Sequence, residues 1–214
     1  MIKKLRPLPK FLVNRYKDWK SKSYLNNSNK FKKLASLGQS PKAMVISCCD
    51  SRVHVTSIFG ADEGEFFIHR NIANLVPPYS PDGEHHGTSA AIEYATKELK
   101  VRHLIILGHR SCGGIKSGHN LHTNKANKEY VFINKWLSIL LPAFNHISKN
   151  ISQKNQIKLL EEESIKNSLK NLFSFPNIKK AVDNNTLSIH GLIHDIGSGG
   201  LKYLNPKTEK FENI

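Results

Sequence analysis

Short apolar runs, each followed by polar residues, recur along the chain from Pro41 onward. The runs AMVIS (43–47) and HLIIL (103–107) carry β-branched residues, and FFIH (66–69) is a third candidate of this kind. Apolar runs of this length without polar alternation are typical of parallel strands that are buried on both faces. The pattern therefore predicts a buried sheet with parallel neighbours.

Stretches with helical spacing of apolar residues separate these runs. GTSAAIEYATKELK (87–100) predicts a helix with Thr88 or Ser89 as its N-cap, and the segment 128–173 is also predicted to be helical. Strands that alternate with helices are typical of the α/β class. We predict an α/β fold in which a β-sheet with a parallel core is flanked by helices.

The two ends of the chain have different patterns. Residues 1–40 mix lysine and asparagine with scattered aromatic residues, and three apolar residues with helical spacing precede Gly38, which can close a helix. Near the other end, TLSIHGLIHDI (186–196) followed by GSGG and LKYL predicts a strand, a glycine turn and a short second strand. We predict an N-terminal helical arm, residues 1–40, and one α/β domain, residues 41–214.

The composition fits a folded protein and narrows its environment. Of the 214 residues, 39% are hydrophobic and 23% charged, and no run approaches the roughly 20 apolar residues that a membrane-spanning helix needs. The basic N-terminal residues lack the apolar core of a secretory signal. The three cysteines, Cys48, Cys49 and Cys112, indicate free thiols or metal ligands in a reducing compartment. We therefore expect a cytoplasmic protein without a membrane span.

The formal net charge of +15 raises the question of a nucleic-acid partner. The lysines are spread over three separate regions of the chain, and no arginine-rich stripe or RNA-binding signature is present. This distribution is typical of a solvated basic surface. We expect no nucleic-acid partner.

Soft metal ligands directly follow two of the predicted strands. Cys48 and Cys49 come after the first run, and His109 and Cys112 follow the run 103–107 with the spacing His-x-x-Cys. Because ligands gather beyond the carboxyl ends of the strands in α/β sheets, we expect these side chains to lie close together. Two thiolates and an imidazole suit zinc, and three protein donors leave a fourth position open, as in catalytic zinc sites.

The adjacent cysteines can be distinguished by strand alternation. If the chain stays extended past the first strand, Cys48, Asp50 and Arg52 lie on one side and Cys49 on the other. We therefore predict Cys48 as the ligand and Cys49 as a small buried apolar residue.

Four segments of the sequence, in this order, resemble the beta carbonic anhydrases. They are Cys48-x-Asp50-Ser51-Arg52, HRNIANLVPPY (69–79), GTSAAIEYA (87–95) and GHRSCGG (108–114). The resemblance implies a zinc enzyme that reversibly hydrates carbon dioxide to bicarbonate and a proton through a zinc-bound hydroxide. It also implies Cys48, His109 and Cys112 as the zinc ligands.

The resemblance further implies a catalytic pair beside the metal. Asp50 and Arg52 match the Asp–Arg dyad of the family, in which a bidentate arginine can hold the carboxylate away from the open metal position. A closed state with Asp50 as fourth ligand would be inactive. Gln39 resembles the plant-like members, and Val45 stands where bicarbonate-inhibited members carry tryptophan. We therefore expect the open form.

The substrate pocket is also implied by the resemblance. Gln39 and the backbone N–H of Gly113 match groups that bind bicarbonate oxygens, while Phe67, Ile72 and Tyr94 match an apolar pocket for carbon dioxide. In the family this pocket forms at a dimer interface. The resemblance thus implies a homodimer or a dimer-based higher oligomer.

Two other functions are compatible with parts of the sequence. The same zinc chemistry on the same scaffold can act on carbonyl sulfide or carbon disulfide. The basic charge alternatively suggests a non-catalytic, zinc-stabilised nucleic-acid or interaction module, which would bind DNA or RNA with steep salt dependence.

Overall fold

The computed structural model describes residues 5–82 and 86–214, and it divides into two compact units between Gln39 and Ser40. Residues 1–4 of the predicted arm lie outside the described part. The first unit contains α1 (Lys10–Trp19), a π-helical turn (Lys20–Tyr24) and α2 (Ser28–Leu37), after which Gly38 has a φ of +70°. Its aromatic rings pack against one another with centroid distances of 5.4 to 6.1 Å; they belong to Tyr16, Trp19, Tyr24 and Phe31.

The second unit contains a mixed sheet with helices in its connections. Its strands are β1 (Ala43–Cys48), β2 (Phe66–Asn71), β3 (His103–His109), β4 (Ser188–His194), β5 (Leu201–Leu204) and β6 (Phe211–Asn213). Its α-helices are α3 (Val55–Phe59), α4 (His86–Glu93), α5 (Gly113–His122), α6 (Val131–Leu137), α7 (Leu141–His146), α8 (Gln153–Leu172) and α9 (Pro176–Asp183). Short 3-10 or π turns cover Ile72–Asn74, Tyr94–Glu98 and Ser138–Leu140.

The strand order is β2-β1-β3-β4-β5-β6. The first four strands are parallel, whereas β5 and β6 add antiparallel strands at one edge. The predicted α/β fold with a parallel core is thus confirmed. The central strands β1 and β3 pair with Ser47 opposite Leu107, so their carboxyl ends are neighbours at the same edge of the sheet.

Two apolar layers enclose the parallel strands. On one face, Met44, Ile46 and Ile106 pack with side chains of α4, α8 and α9. The opposite face has a smaller cluster that includes Val45 and Val55, the latter from α3. A third cluster lies at the carboxyl edge and includes Cys48 and Cys112 together with residues of α5 to α8.

Helix α8 packs very closely against the sheet because two glycines leave room for it. A Cβ atom at Gly108 of β3 would lie 2.7 Å from Cδ1 of Ile165, and one at Gly191 of β4 would lie 2.9 Å from its Cγ2. Ile165 is fully buried at this point. Residues one turn earlier on α8 are thereby brought over the carboxyl ends of β3 and β4.

Three local predictions differ from the structure. The helical stretch predicted over 128–173 is divided into α6, α7 and α8, with a 3-10 turn at Ser138–Leu140 and a non-helical segment between His146 and Gln153. The helix predicted from residue 87 begins at His86, so the predicted N-cap is wrong, and the Thr88 hydroxyl instead lies 3.0 Å from His69 Nε2. Strand β6 was not predicted because its three residues form no apolar run.

None of the helices in residues 5–82 and 86–214 combines the length and apolarity needed to cross a membrane.

Candidate active site

Three soft donor atoms converge at the carboxyl edge of the sheet. Cys48 is the last residue of β1, His109 is the last residue of β3, and Cys112 immediately precedes α5. The two sulfur atoms are 3.9 Å apart, and all three donor atoms lie within 4.8 Å of one another. Each of the three residues is at most 4% exposed. The side chains that the sequence places at two strand ends therefore form one buried cluster.

The cluster has the dimensions and the donor atoms of a zinc site. Zinc–sulfur bonds of ~2.3 Å in tetrahedral geometry place two sulfur ligands roughly 3.8 Å apart, close to the separation of the two cysteines. His109 Nδ1 lies 3.0 Å from the Arg110 carbonyl oxygen, which orients the ring and directs Nε2 to the cysteines. Nε2 is buried and has no hydrogen-bond partner among the described residues. These residues therefore fit a metal ion.

The pKa values of the two cysteine thiols are shifted in opposite directions. A hydrogen bond with the Cys112 thiol, supported by the backbone N–H groups of Asp50 and Ala73, lowers the pKa of Cys48 to about 4. The same hydrogen bond raises the pKa of Cys112, and burial adds to that rise. The site therefore holds a thiolate at neutral pH and favours a bound cation.

Asp50 and Arg52 form a paired unit beside the donors. Arg52 donates from Nε to Oδ1 of Asp50 at 2.9 Å and from Nη2 to Oδ2 at 2.7 Å, and its backbone N–H donates to Oδ1 at 3.0 Å. These hydrogen bonds hold the pKa of the Asp50 carboxyl well below its usual range. Oδ2 also lies 3.9 Å from Nε2 of His109. An ionised carboxylate thus stands next to the candidate metal centre.

A turn, not an extended chain, produces this pair. The Asp50 carbonyl accepts the N–H of Val53 at 3.0 Å, so alternation stops at the end of β1. For the same reason the prediction that Cys49 is buried is wrong: Cys49 lies in the turn that follows β1 and is exposed. Arg70 stabilises the turn by donating to the carbonyls of Cys48 and Asp50 at 3.0 and 2.8 Å.

The residues predicted to line the substrate pocket belong to different elements of the structure. The rings of Phe67 and Tyr94 pack with centroids 5.8 Å apart, and Ile72 and Tyr94 are 40% and 47% exposed. Gly113 is exposed at the start of α5. Gln39 is the last residue of the first unit, so its place in the pocket stays a prediction.

Glu161 of α8 is a further residue of the site, and it was not predicted from the sequence. Its side chain is 4% exposed, and its Oε1 accepts the backbone N–H of Cys112 at 3.2 Å. Burial raises the pKa of this carboxyl. The sequence contains one indication of its role. Glu161 lies between Ile157 and Ile165 on the helix face that otherwise carries apolar or small residues, whereas the rest of the helix is rich in exposed charges.

The glycine at position 114 lets α5 approach the loop after β2. A Cβ atom at Gly114 would lie 2.9 Å from Ile72 Cγ2, 3.0 Å from Ala73 Cβ and 3.2 Å from the Ala73 backbone nitrogen. Because backbone atoms cannot rotate away, we expect Gly114→Ala to lower the free energy of unfolding by about 1–3 kcal/mol. Chemical denaturation at matched zinc content measures the change.

Gly113→Ala is the control for stability, since a Cβ atom at Gly113 meets nothing within 4 Å. It should be neutral or stabilising because alanine favours the helix. Equal denaturation midpoints for the two variants would contradict the proposed close contact.

Proteins similar in sequence to this chain are carbonic anhydrases. A family model described as "Carbonic anhydrase" matches residues 43–201. The chain is 38% identical over 184 residues to "Beta carbonic anhydrase 3" of Arabidopsis thaliana, covering 85% of this chain and 70% of that protein.

Several solved structures of similar fold are beta-carbonic anhydrases. The beta-carbonic anhydrase CcaA superposes with a TM-score of 0.84 at 26% identity, covering 96% of this chain and 91% of that one. CafA of Aspergillus fumigatus, a beta-carbonic anhydrase, has a TM-score of 0.78 at 32% identity, with coverage of 94% and 95%. One of two tetrameric beta-carbonic anhydrases from Sordaria macrospora has a TM-score of 0.77 at 30% identity, with coverage of 92% and 96%.

Proposed function

Because this chain belongs to the beta carbonic anhydrases, enzymes that hydrate carbon dioxide, we propose that it does so with a zinc ion held by Cys48, His109 and Cys112. The observation that carries the proposal is the buried cluster of two sulfurs and one unpartnered imidazole nitrogen beside an ionised carboxylate. When bound, zinc acts as a Lewis acid that lowers the pKa of water towards 7 and so supplies hydroxide near neutral pH.

Asp50 is proposed to orient the nucleophile. Its low pKa keeps the carboxylate ionised through the neutral range, and its Oδ2 is the oxygen nearer to the donors, 3.9 Å from His109 Nε2. An ionised oxygen can accept a hydrogen bond from the O–H of the attacking group and so direct its lone pair at carbon dioxide. Arg52 keeps this oxygen in position through its two side-chain hydrogen bonds.

The same pair supports an open metal position. Both carboxylate oxygens of Asp50 accept hydrogen bonds from Arg52. A closed site needs an Asp50 oxygen as a fourth ligand, but in the described residues the donor cluster comprises only Cys48, His109 and Cys112. We propose that this arrangement leaves the fourth position available in the resting enzyme.

We propose that Phe67, Ile72 and Tyr94 bound an apolar pocket for carbon dioxide, and that Gln39 and the N–H of Gly113 bind bicarbonate oxygens. The ring contact of Phe67 with Tyr94 supports a shared apolar surface. Carbon dioxide has little capacity for hydrogen bonding, so an apolar wall does not exclude it.

We also propose a homodimer or dimer-based higher oligomer. The relative from Sordaria macrospora is tetrameric. In this chain a run of exposed apolar side chains starts α6: Tyr130, Val131, Phe132 and Ile133 are 50%, 71%, 89% and 39% exposed. Large exposed apolar side chains that are concentrated in one short segment are typical of a protein interface.

Sedimentation velocity tests the assembly. We expect a mass of at least twice the 24.2 kDa of one chain at micromolar concentration. A species of single-chain mass at every concentration would exclude the oligomer and, with it, a pocket shared between subunits.

We propose a cytoplasmic location, because the three cysteines are free thiols and the Cys–His–Cys centre needs Cys48 and Cys112 in the reduced form. Localisation of a tagged chain by fluorescence microscopy tests this, and an extracytoplasmic signal would contradict it.

The function is tested by stopped-flow measurement of carbon dioxide hydration with a pH indicator, on zinc-loaded protein between pH 6.5 and 9. We expect a rate well above that of buffer, which rises with pH. A fully zinc-loaded protein without such a rate would contradict the proposal, and assays with carbonyl sulfide and carbon disulfide would then identify the alternative substrates.

A further inference from the structure

The loop from His109 to Cys112 carries two of the three metal donors. It bends sharply at Ser111, whose φ of +58° lies in the left-handed region. From the sheet, the His194 carbonyl accepts the Arg110 N–H at 2.8 Å, and the Ser111 carbonyl accepts a hydrogen bond from Arg52 Nη2 at 3.2 Å. A strained bend of this kind persists only where its surroundings hold it.

The other side of the loop is bonded to a single turn of α8. Glu161 accepts the Cys112 N–H through Oε1 and the Arg110 Nη1–H through Oε2, both at 3.2 Å. Arg110 also donates to the Lys158 carbonyl at 2.9 Å and to the carboxylate of Glu162. Helix α8 thus contacts both the residue that follows one metal donor and the backbone of another.

The burial of Glu161 indicates a positioning role. Placing a carboxylate in an apolar surrounding costs free energy unless its charge is paired and its oxygens are bonded. Here Arg110 supplies the countercharge and Cys112 the second donor. Ile165, one turn after Glu161 on α8, packs closely against Gly108 and Gly191. This packing sets the distance between the Glu161 carboxylate and the loop.

We infer that Glu161 and Arg110 are positioning residues that set the orientation of the His109–Cys112 loop and thereby the affinity and ligand geometry of the metal centre. The inference rests on the proposed function only in taking Cys48, His109 and Cys112 as the ligands. Partners that orient ligands from outside the coordination sphere typically change metal affinity by about 10- to 100-fold when removed. Through the Ser111–Arg52 hydrogen bond, the same loop also reaches the arginine that holds Asp50.

The test compares Glu161→Ala with Glu163→Ala on the same helix. Glu163 pairs with Lys166 of α8 at 2.8 Å and is not bonded to the loop in the described residues. Zinc affinity is measured by competition with a chromophoric chelator, and ligand geometry by the absorption bands of the cobalt-substituted protein. We expect Glu161→Ala to weaken zinc binding by about 10- to 100-fold and to alter the cobalt bands, whereas Glu163→Ala leaves both unchanged.

Glu161→Gln separates orientation from general packing, because its amide oxygen can still accept the Cys112 N–H. We expect it to recover part of the affinity lost in Glu161→Ala. Wild-type affinity and cobalt bands in a folded Glu161→Ala would overturn the inference, as would equal losses in Glu163→Ala.

If Glu161→Ala does not fold, Arg110→Met tests the same contact from the loop. It removes the guanidinium that pairs with Glu161 and is expected to weaken zinc binding in the same range. Unchanged affinity and cobalt bands in that variant would overturn the inference. Neither readout depends on turnover: a wild-type protein that binds zinc tightly yet does not hydrate carbon dioxide would refute the proposed function and leave this test decisive.

Discussion

Replacing Cys48 with serine is expected to abolish carbon dioxide hydration and to reduce zinc binding by more than about 100-fold, beyond the range seen for residues outside the coordination sphere. A serine hydroxyl remains protonated at neutral pH, whereas the Cys48 thiol is already held as a thiolate by its neighbours. Only two soft donors, His109 and Cys112, would remain. Stopped-flow assays combined with metal analysis of the dialysed protein measure both effects.

The adjacent cysteine provides a matched control. Cys49 is exposed and lies outside the donor cluster, so Cys49→Ser should retain both zinc and activity. Activity in Cys48→Ser, or a comparable loss in Cys49→Ser, would show that the donor set has been assigned wrongly. The comparison is informative because both variants replace a thiol with a hydroxyl within the same turn.

Replacing Arg52 with methionine is expected to lower kcat/KM at pH 7 by about 10²- to 10³-fold, the range typical for loss of one group that orients charge in an active site. The variant removes both side-chain hydrogen bonds to Asp50 and leaves only the backbone N–H at 3.0 Å. The carboxylate would then be free to turn towards the donors, since its Oδ2 already lies 3.9 Å from His109 Nε2.

The pH profile identifies the cause of this loss. Without Arg52 the pKa of Asp50 should rise towards the ordinary value of about 4, so the carboxylate stays ionised above pH 6 in both proteins. Its protonation therefore cannot explain a change in the neutral range. If the released carboxylate took the open metal position in place of hydroxide, a rise in pH would favour hydroxide, so we expect Arg52→Met to regain activity at alkaline pH.

Asp50→Asn should show no such recovery, because its amide cannot act as the ionised acceptor at any pH. Arg102→Met, at an exposed arginine ahead of β3, controls for the loss of one positive charge. An Arg52→Met profile parallel to that of the wild type would mean that Arg52 does not hold Asp50 away from the metal.

By itself, the sequence determined the parallel core and the donors of the candidate site. Buried parallel strands need continuous apolar runs, and metal affinity depends on residue type, so the runs ending before Cys48 and His109 and the soft side chains that follow them were informative without coordinates. The spacing His-x-x-Cys added the third donor. These features are local in the chain, which is why they could be predicted from it.

Tertiary structure decided which groups meet the donors beyond Asp50 and Arg52, a pair that the family resemblance already implied. The turn after β1 exposes Cys49, although strand alternation predicted a buried cysteine. Glu161 lies 49 residues from Cys112, and its approach depends on Ile165 packing against glycines of two different strands. In the sequence Glu161 is one of three consecutive glutamates in a charged helix. Burial and hydrogen bonding across the fold give it a position beside the metal centre, and such long-range packing is not encoded in any local pattern.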